Sequence, residues 1–124
     1  MKFIKTNNAP EAIGPYSQAV EVNNMIFISG QLPLDPITME ASSDIQVQTE
    51  QALSNILSIL KSVGLDKDAI VRCGVFMTDL SQFAEMNEVY SNFFETHKPA
   101  RAAVQVSRLP KDVMIEIDAI AVRK

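Results

Sequence analysis

The residues of this chain best suited to chemistry gather near its C-terminal end. Arg101, Gln105, Glu116 and Asp118 interrupt two otherwise apolar runs, Arg101 to Ser107 and Asp112 to Val122. Read as strands, the second run puts Val113, Ile115, Ile117, Ala119 and Ala121 on one unbroken apolar face. Met114, Glu116, Asp118, Ile120 and Val122 then form the opposite face. On the first run Ala102, Val104 and Val106 alternate with Arg101, Ala103, Gln105 and Ser107. A hairpin turning at Arg108 to Lys111 joins the two apolar faces, with Ser107 opposite Asp112, Ala103 opposite Glu116 and Arg101 opposite Asp118. A carboxylate in such mixed surroundings is a candidate for a raised pKa and for acid–base work. A guanidinium within reach can grip a substrate carboxylate through two parallel hydrogen bonds. The same spacing also describes a cross-strand ion pair on a solvated face, worth a fraction of a kcal/mol. Spacing alone favours that second reading.

Other chemistries are narrowed by counting. The one cysteine, Cys73, forms no internal disulfide and sits among valines as a buried, inert thiol would. The one histidine, His97, leaves no His pair for nucleophilic catalysis and stands near a helix end, where a cation complements the dipole. No Cys/His cluster has zinc-ligand spacing. The net charge of −4, with a pI near 4.9, lacks the basic surplus of a nucleic-acid binder. The N-terminal apolar run is too short for a signal peptide, and no stretch approaches the roughly 20 apolar residues that span a bilayer. A soluble cytoplasmic protein, 124 residues folded as one domain, is the expectation. Hydrophobic residues reach 47%, a high share for so small a domain, so some apolar surface is expected to meet a partner.

The elements that must position these residues follow from periodicity. Gln18 to Val22 and Met25 to Ser29 read as a hairpin across Asn23-Asn24, a pair that tolerates positive φ. Gly30 to Pro36 reads as irregular backbone. Ile45 to Val63 carries a helical stripe of Ile45, Ala52, Leu53, Ile56, Leu57, Leu60 and Val63, with Asp44 as N-cap and Gly64 as C′. Ala69 to Thr78 returns to strand alternation. A second helix starts at Asp79 or Ser81, shows Phe83, Met86, Val89, Tyr90 and Phe93 as its stripe, and ends at Lys98-Pro99. The order strand, strand, helix, strand, helix, strand, strand predicts an α+β layer: a mixed β-sheet with helices on one face.

Four motifs, in order along nearly the whole chain, resemble the Rid family of reactive-intermediate deaminases, also called the YjgF family. They are Ala9-Pro10 with Ile13 to Val20, then Phe27 to Pro33, then Val75 to Leu80 with Phe83, Asn87, Tyr90 and Phe94 downstream. The last is Pro99 to Val104 continuing through Arg108 to Ala121.

The resemblance implies a chorismate-mutase-like α+β fold, assembled as a homotrimer whose sheets line a central barrel, with active sites in clefts between subunits. The implied reaction is hydrolysis of 2-imino acids, released by pyridoxal-phosphate enzymes, to 2-oxo acids and ammonia; no cofactor or metal is implied. Residue by residue, it assigns carboxylate binding to Arg101 and water positioning to Glu116. Tyr16, Ser29, Gly30 and Asn87 match pocket-lining positions, and Ala103 matches the position whose amide polarises the substrate. Many members carry cysteine at the position of Ala103, so the alanine here argues against covalent catalysis. An imine carbon is already electrophilic, so orienting the carboxylate, aiming one water and managing one proton are sufficient. Two alternatives stand beside this one: a translation inhibitor or endoribonuclease, and a non-catalytic module binding small carboxylates or a partner protein. Each residue also has a plain structural reading. Tyr16 could be a turn aromatic, Asn87 an exposed helix residue, Ser29-Gly30 a strand end, and Asp118 a partner for a basic group. The implied trimer would bury Met114, Ile120 and Val122 beside Arg101 and Glu116, giving the hydrophobic surplus a place.

Overall fold

Asn23 and Asn24 both adopt left-handed φ, 52° and 62°, and make the tight turn that their residue types predict. In the computed structural model, which describes residues 1–124, they join β2 (Ala19–Val22) to β3 (Met25–Gln31). A short strand that the sequence pattern does not reveal, β1 (Lys2–Ile4), pairs antiparallel with β2 through Phe3 and Val20. Three residues are too few for a period to register.

Helix α1 (Ile45–Lys61) begins where expected: the Asp44 carboxylate accepts from the Gln46 and Val47 amides. It ends in a Schellman arrangement, with Leu65 N–H donating to Leu60 O, Gly64 N–H donating to Lys61 O, and Gly64 at φ 78°. The buried face is wider than the apolar stripe and includes Gln48, Thr49 and Asn55. Strand β4 (Ile70–Met77) leads through Asp79, whose carboxylate caps a 3-10 turn at Leu80–Gln82, into α2 (Phe83–Phe94). This helix stops at Glu95, in left-handed backbone at φ 58°, three residues before Lys98-Pro99. Met86, Tyr90 and Phe94 form its buried face, with Phe93 only partly covered.

Strand β5 (Ala100–Gln105) and strand β6 (Ile115–Val122) do not form the expected hairpin. The sheet order is β1-β2-β3-β6-β4-β5, so β4 lies between them. β5 runs parallel to β4, because α2 carries the chain back across the sheet before β5 begins. β6 enters antiparallel to both β3 and β4. The result is a mixed six-stranded sheet with both helices on one face, as the α+β expectation holds.

The register corrects the predicted constellation. Arg101 pairs with Cys73 and Ala103 with Val75, so both belong to the helix-covered face with Ala119 and Ile117. Glu116 pairs with Phe76, and Asp118 with Gly74, on the opposite face. Neither Ala103–Glu116 nor Arg101–Asp118 is a cross-strand pair. Ala102 and Val104, assigned by alternation to the helix face, lie instead on the open one. The core beneath the helices joins Ile26, Ile28, Cys73, Val75, Met77, Ile115 and Ile117 to α1 and α2. Met114 packs against that core, whereas Ile120 and Val122 lie on the open face with Phe27 and Val104.

Candidate active site

The predicted site residues fall into two groups on opposite faces of the sheet. Tyr16, Ser29, Gly30 and Glu116 line one cleft of about 530 Å3. Asn87, Arg101 and Ala103 lie on the helix-covered face, where edge strand β5 passes under α2.

The cleft is shaped by an irregularity in β3. The register of β3 against β6 shifts between Ile28 and Gln31, which turns Ser29 and Gly30 out of regular pairing. Ser29 Oγ donates to Ser17 O at 2.6 Å, tying this bulge to the loop that carries Tyr16. Gly30 is required by proximity rather than by torsion. A Cβ there would lie 2.8 Å from Glu116 Cδ, so the glutamate occupies the space a side chain would need. Tyr16 stands half-exposed on a tight turn in which its amide donates to Gly14 O at 2.9 Å.

Glu116 is half-buried and takes part in no side-chain hydrogen bond or ion pair. Burial, with the Asp118 charge as a smaller contribution, raises its pKa above the usual glutamate value. Asp118 itself accepts from Gly74 N–H at 2.9 Å and faces Arg72 at 3.9 Å, a structural role. Lys111 brings the one cation to the cleft wall, held there by left-handed backbone at φ 58°.

Arg101 differs from the other arginines in its partners. Arg72, Arg108 and Arg123 each face a carboxylate within 4.0 Å, and Arg101 faces none. Its Nη1 donates to Asn87 Oδ1 at 2.7 Å. Its guanidinium packs over the rings of Tyr90 and Phe83, with centroid distances of 4.7 and 5.3 Å. A neutral acceptor and two π faces hold the group without cancelling its charge, so its remaining N–H edge is free for an external anion.

The remaining candidates are structural. Burial pushes the Cys73 thiol up to about 11, which removes its thiolate at neutral pH. His97 Nε2 donates to Ile70 O at 2.7 Å, fixing the loop after α2 to β4. Gln105 Oε1 accepts from Leu80 N–H. No three His, Cys, Asp or Glu side chains converge as metal ligands, and no helix is long and apolar enough to cross a membrane.

Sequence reasoning missed the groups that brace the cleft. Gln18 exchanges four hydrogen bonds with the Thr6–Pro10 loop that walls it. Asn55 Nδ2 donates to Leu32 O and Leu34 O, both at 3.0 Å. Gln48 Oε1 accepts from Met114 N–H just before β6. The available signal was a polar residue at a buried helical spacing: Gln48 follows Ile45 by three, and Asn55 follows Ala52 by three.

Comparison with known proteins agrees with this architecture. A model described as Endoribonuclease L-PSP matches residues 6–123. A RutC family protein of Pyrococcus horikoshii is 52% identical over 124 residues, covering 99% of this chain and 98% of that protein. The 2-iminobutanoate/2-iminopropanoate deaminase of Escherichia coli is 50% identical over 126 residues, covering 99% and 98%. The crystal structure of Escherichia coli TdcF with bound serine superposes with a TM-score of 0.96 at 49% identity, covering all of both chains. With that match and those sequence motifs, this chain belongs to the Endoribonuclease L-PSP family, the YjgF/Rid family its motifs resemble.

Proposed function

We propose that this chain is a deaminase that hydrolyses 2-imino acids, 2-iminopropanoate and 2-iminobutanoate with their enamine tautomers, to 2-oxo acids and ammonia. It would act as one domain of residues 1–124, in the cytoplasm, on imines released by pyridoxal-phosphate enzymes, and without a cofactor. The observation that carries this reading is Arg101, the arginine that is held in place yet has no carboxylate partner. The name of the half-identical Escherichia coli deaminase supports the reaction.

In this mechanism the free edge of Arg101 grips the substrate carboxylate in two-point fashion. Glu116, its pKa raised by burial, takes a proton from a water as the water oxygen bonds to the imine carbon. The C=N π pair moves to nitrogen. The substrate nitrogen enters protonated, so returning the proton from Glu116 makes it an ammonium group; the C–N bond then breaks with its electron pair leaving on ammonia, as Glu116 takes the hydroxyl proton and C=O forms. Ser29, Gly30 and Tyr16 shape the space around Glu116, and the Ala103 amide polarises the bound substrate.

Since Arg101 and Glu116 leave opposite faces of one sheet, we place the reaction between copies of the chain, with Arg101 of one copy completing the Glu116 cleft of the next. A homotrimer is the proposed assembly. The open sheet face supports it: Phe27 and Val104 are 38% and 45% exposed in the isolated chain, and burying such a face favours association.

The test couples the protein to a threonine dehydratase and follows disappearance of the imine. The parent should accelerate hydrolysis and Arg101→Ala should abolish the acceleration; equal rates for the two would overturn the assignment. RNA hydrolysis, suggested by the family description, has weaker chemical support. The net charge is −4, and the only histidine is engaged with Ile70 O. RNA cleavage abolished by a single point change would favour it.

A further inference from the structure

We propose that Phe83 and Tyr90 of α2 are positioning residues: together with Asn87 they form a cradle that presets the Arg101 guanidinium for a carboxylate. The inference rests on the deaminase reading for its role in catalysis, but its geometry stands independently.

Arg101 sits on an edge strand with its side chain largely in solvent, where a long side chain is ordinarily free to rotate. Here three groups restrain it. Tyr90, buried at 7% exposure, and the half-buried Phe83 offer ring faces 4.7 and 5.3 Å from the guanidinium carbon, and Asn87 accepts one N–H. The three occur at Phe83, Asn87 and Tyr90, spacings of four and three residues that place them on one face of the helix. Stacking engages the flat faces of a guanidinium and leaves its in-plane donors open, which a salt bridge would not do. A group already held in its binding geometry loses less entropy when the ligand arrives.

Tyr90 also shows which part of the side chain matters. Its hydroxyl is buried toward the Cys73 thiol, away from any nitrogen or oxygen partner. The ring face, not the hydroxyl, therefore faces the arginine, and Tyr90→Phe should preserve the cradle while Tyr90→Leu removes one wall.

The test uses the full chain in four forms: parent, Tyr90→Phe, Tyr90→Leu and Phe83→Leu. The first readout is the Nε–H resonance of Arg101, identified by its loss in Arg101→Lys. Ring faces shift that proton upfield in the parent and in Tyr90→Phe, and the shift should shrink in both leucine variants. The second readout is steady-state imine hydrolysis together with titration of 2-oxobutanoate. Tyr90→Leu should raise KM and the 2-oxobutanoate Kd about 3- to 30-fold, the effect of losing one cation–π face, with kcat within about twofold of the parent. Phe83→Leu, at a half-buried position, should do the same more weakly, and it carries the test if Tyr90→Leu does not fold. An unshifted Arg101 resonance in the parent, or one unchanged in a folded leucine variant, overturns the cradle. An unchanged KM with the expected resonance shifts overturns its role in binding. A parent that binds 2-oxobutanoate through Arg101 without hydrolysing imines overturns the deaminase reading and leaves the cradle intact.

Discussion

At the residue scale, the two groups offered as the chemistry of this protein owe their properties to opposite devices. Arg101 is held by neutral partners and faces no carboxylate, and Glu116, half-buried and unpaired, has its pKa raised by burial. The second device has a measurable pH signature. Folding raises the Glu116 pKa above its ordinary 4.5, so between those values the folded chain binds the proton that the unfolded chain has released. Stability is then unaffected well below pH 4.5, falls as pH rises through that window, and stays reduced above the raised value. Glu116→Gln cannot ionise, so it should match the parent in thermal unfolding at pH 3.5 and exceed it at pH 8. An equal gain at both pH values would contradict the assignment. Imine hydrolysis by the same variant should drop by about 100-fold or more at neutral pH, the usual contribution of a positioned acid–base group.

At the element scale, local signals were legible wherever one element's own residues decided the outcome. Asp44 and Gly64 close the two ends of the first helical segment, and Asn23-Asn24 turns the hairpin, because caps and turns are short-range chemistry. Replacing Asp44 by Ala leaves the Gln46 and Val47 amides without their acceptor and should destabilise the fold by about 1 kcal/mol in chemical denaturation. The last two strands were a different matter. Their alternation was readable, and that of β6 was assigned correctly: its odd-numbered residues are buried and Glu116 and Asp118 face away. The partner of each strand was not readable from alternation. The order strand, helix, strand outweighs nearness in sequence, since a helical crossover returns the chain parallel to its start. A hairpin would turn β5 over and put Arg101 on the open face; the parallel pairing with β4 puts it on the helix-covered one.

At the scale of the whole molecule, that correction changes what the site requires. A hairpin would have joined Arg101 and Glu116 within one chain; the observed sheet sends them to opposite faces. The proposed intersubunit site therefore makes a prediction that a single-chain site does not. Arg101→Ala and Glu116→Gln should each be inactive alone. Co-expressed and purified as mixed assemblies, they should recover part of the parent's imine hydrolysis, because some interfaces pair an intact Arg101 with an intact Glu116. No recovery in assemblies shown by mass spectrometry to contain both chains would place the site elsewhere.

The amino-acid sequence by itself determined the α+β class, both helices, the caps, the core face of β6 and the motifs that mark the family, because each depends on neighbours a few residues apart or on a linear pattern. Only the tertiary structure decided strand order, and with it the face occupied by Arg101, the cradle of Phe83, Asn87 and Tyr90, and the pressing of Glu116 against Gly30. Those contacts join residues 11 to 86 positions apart in the chain. Which of them form depends on how β6 inserts between β3 and β4, a choice made by packing both sheet edges and both helices at once rather than by any local preference.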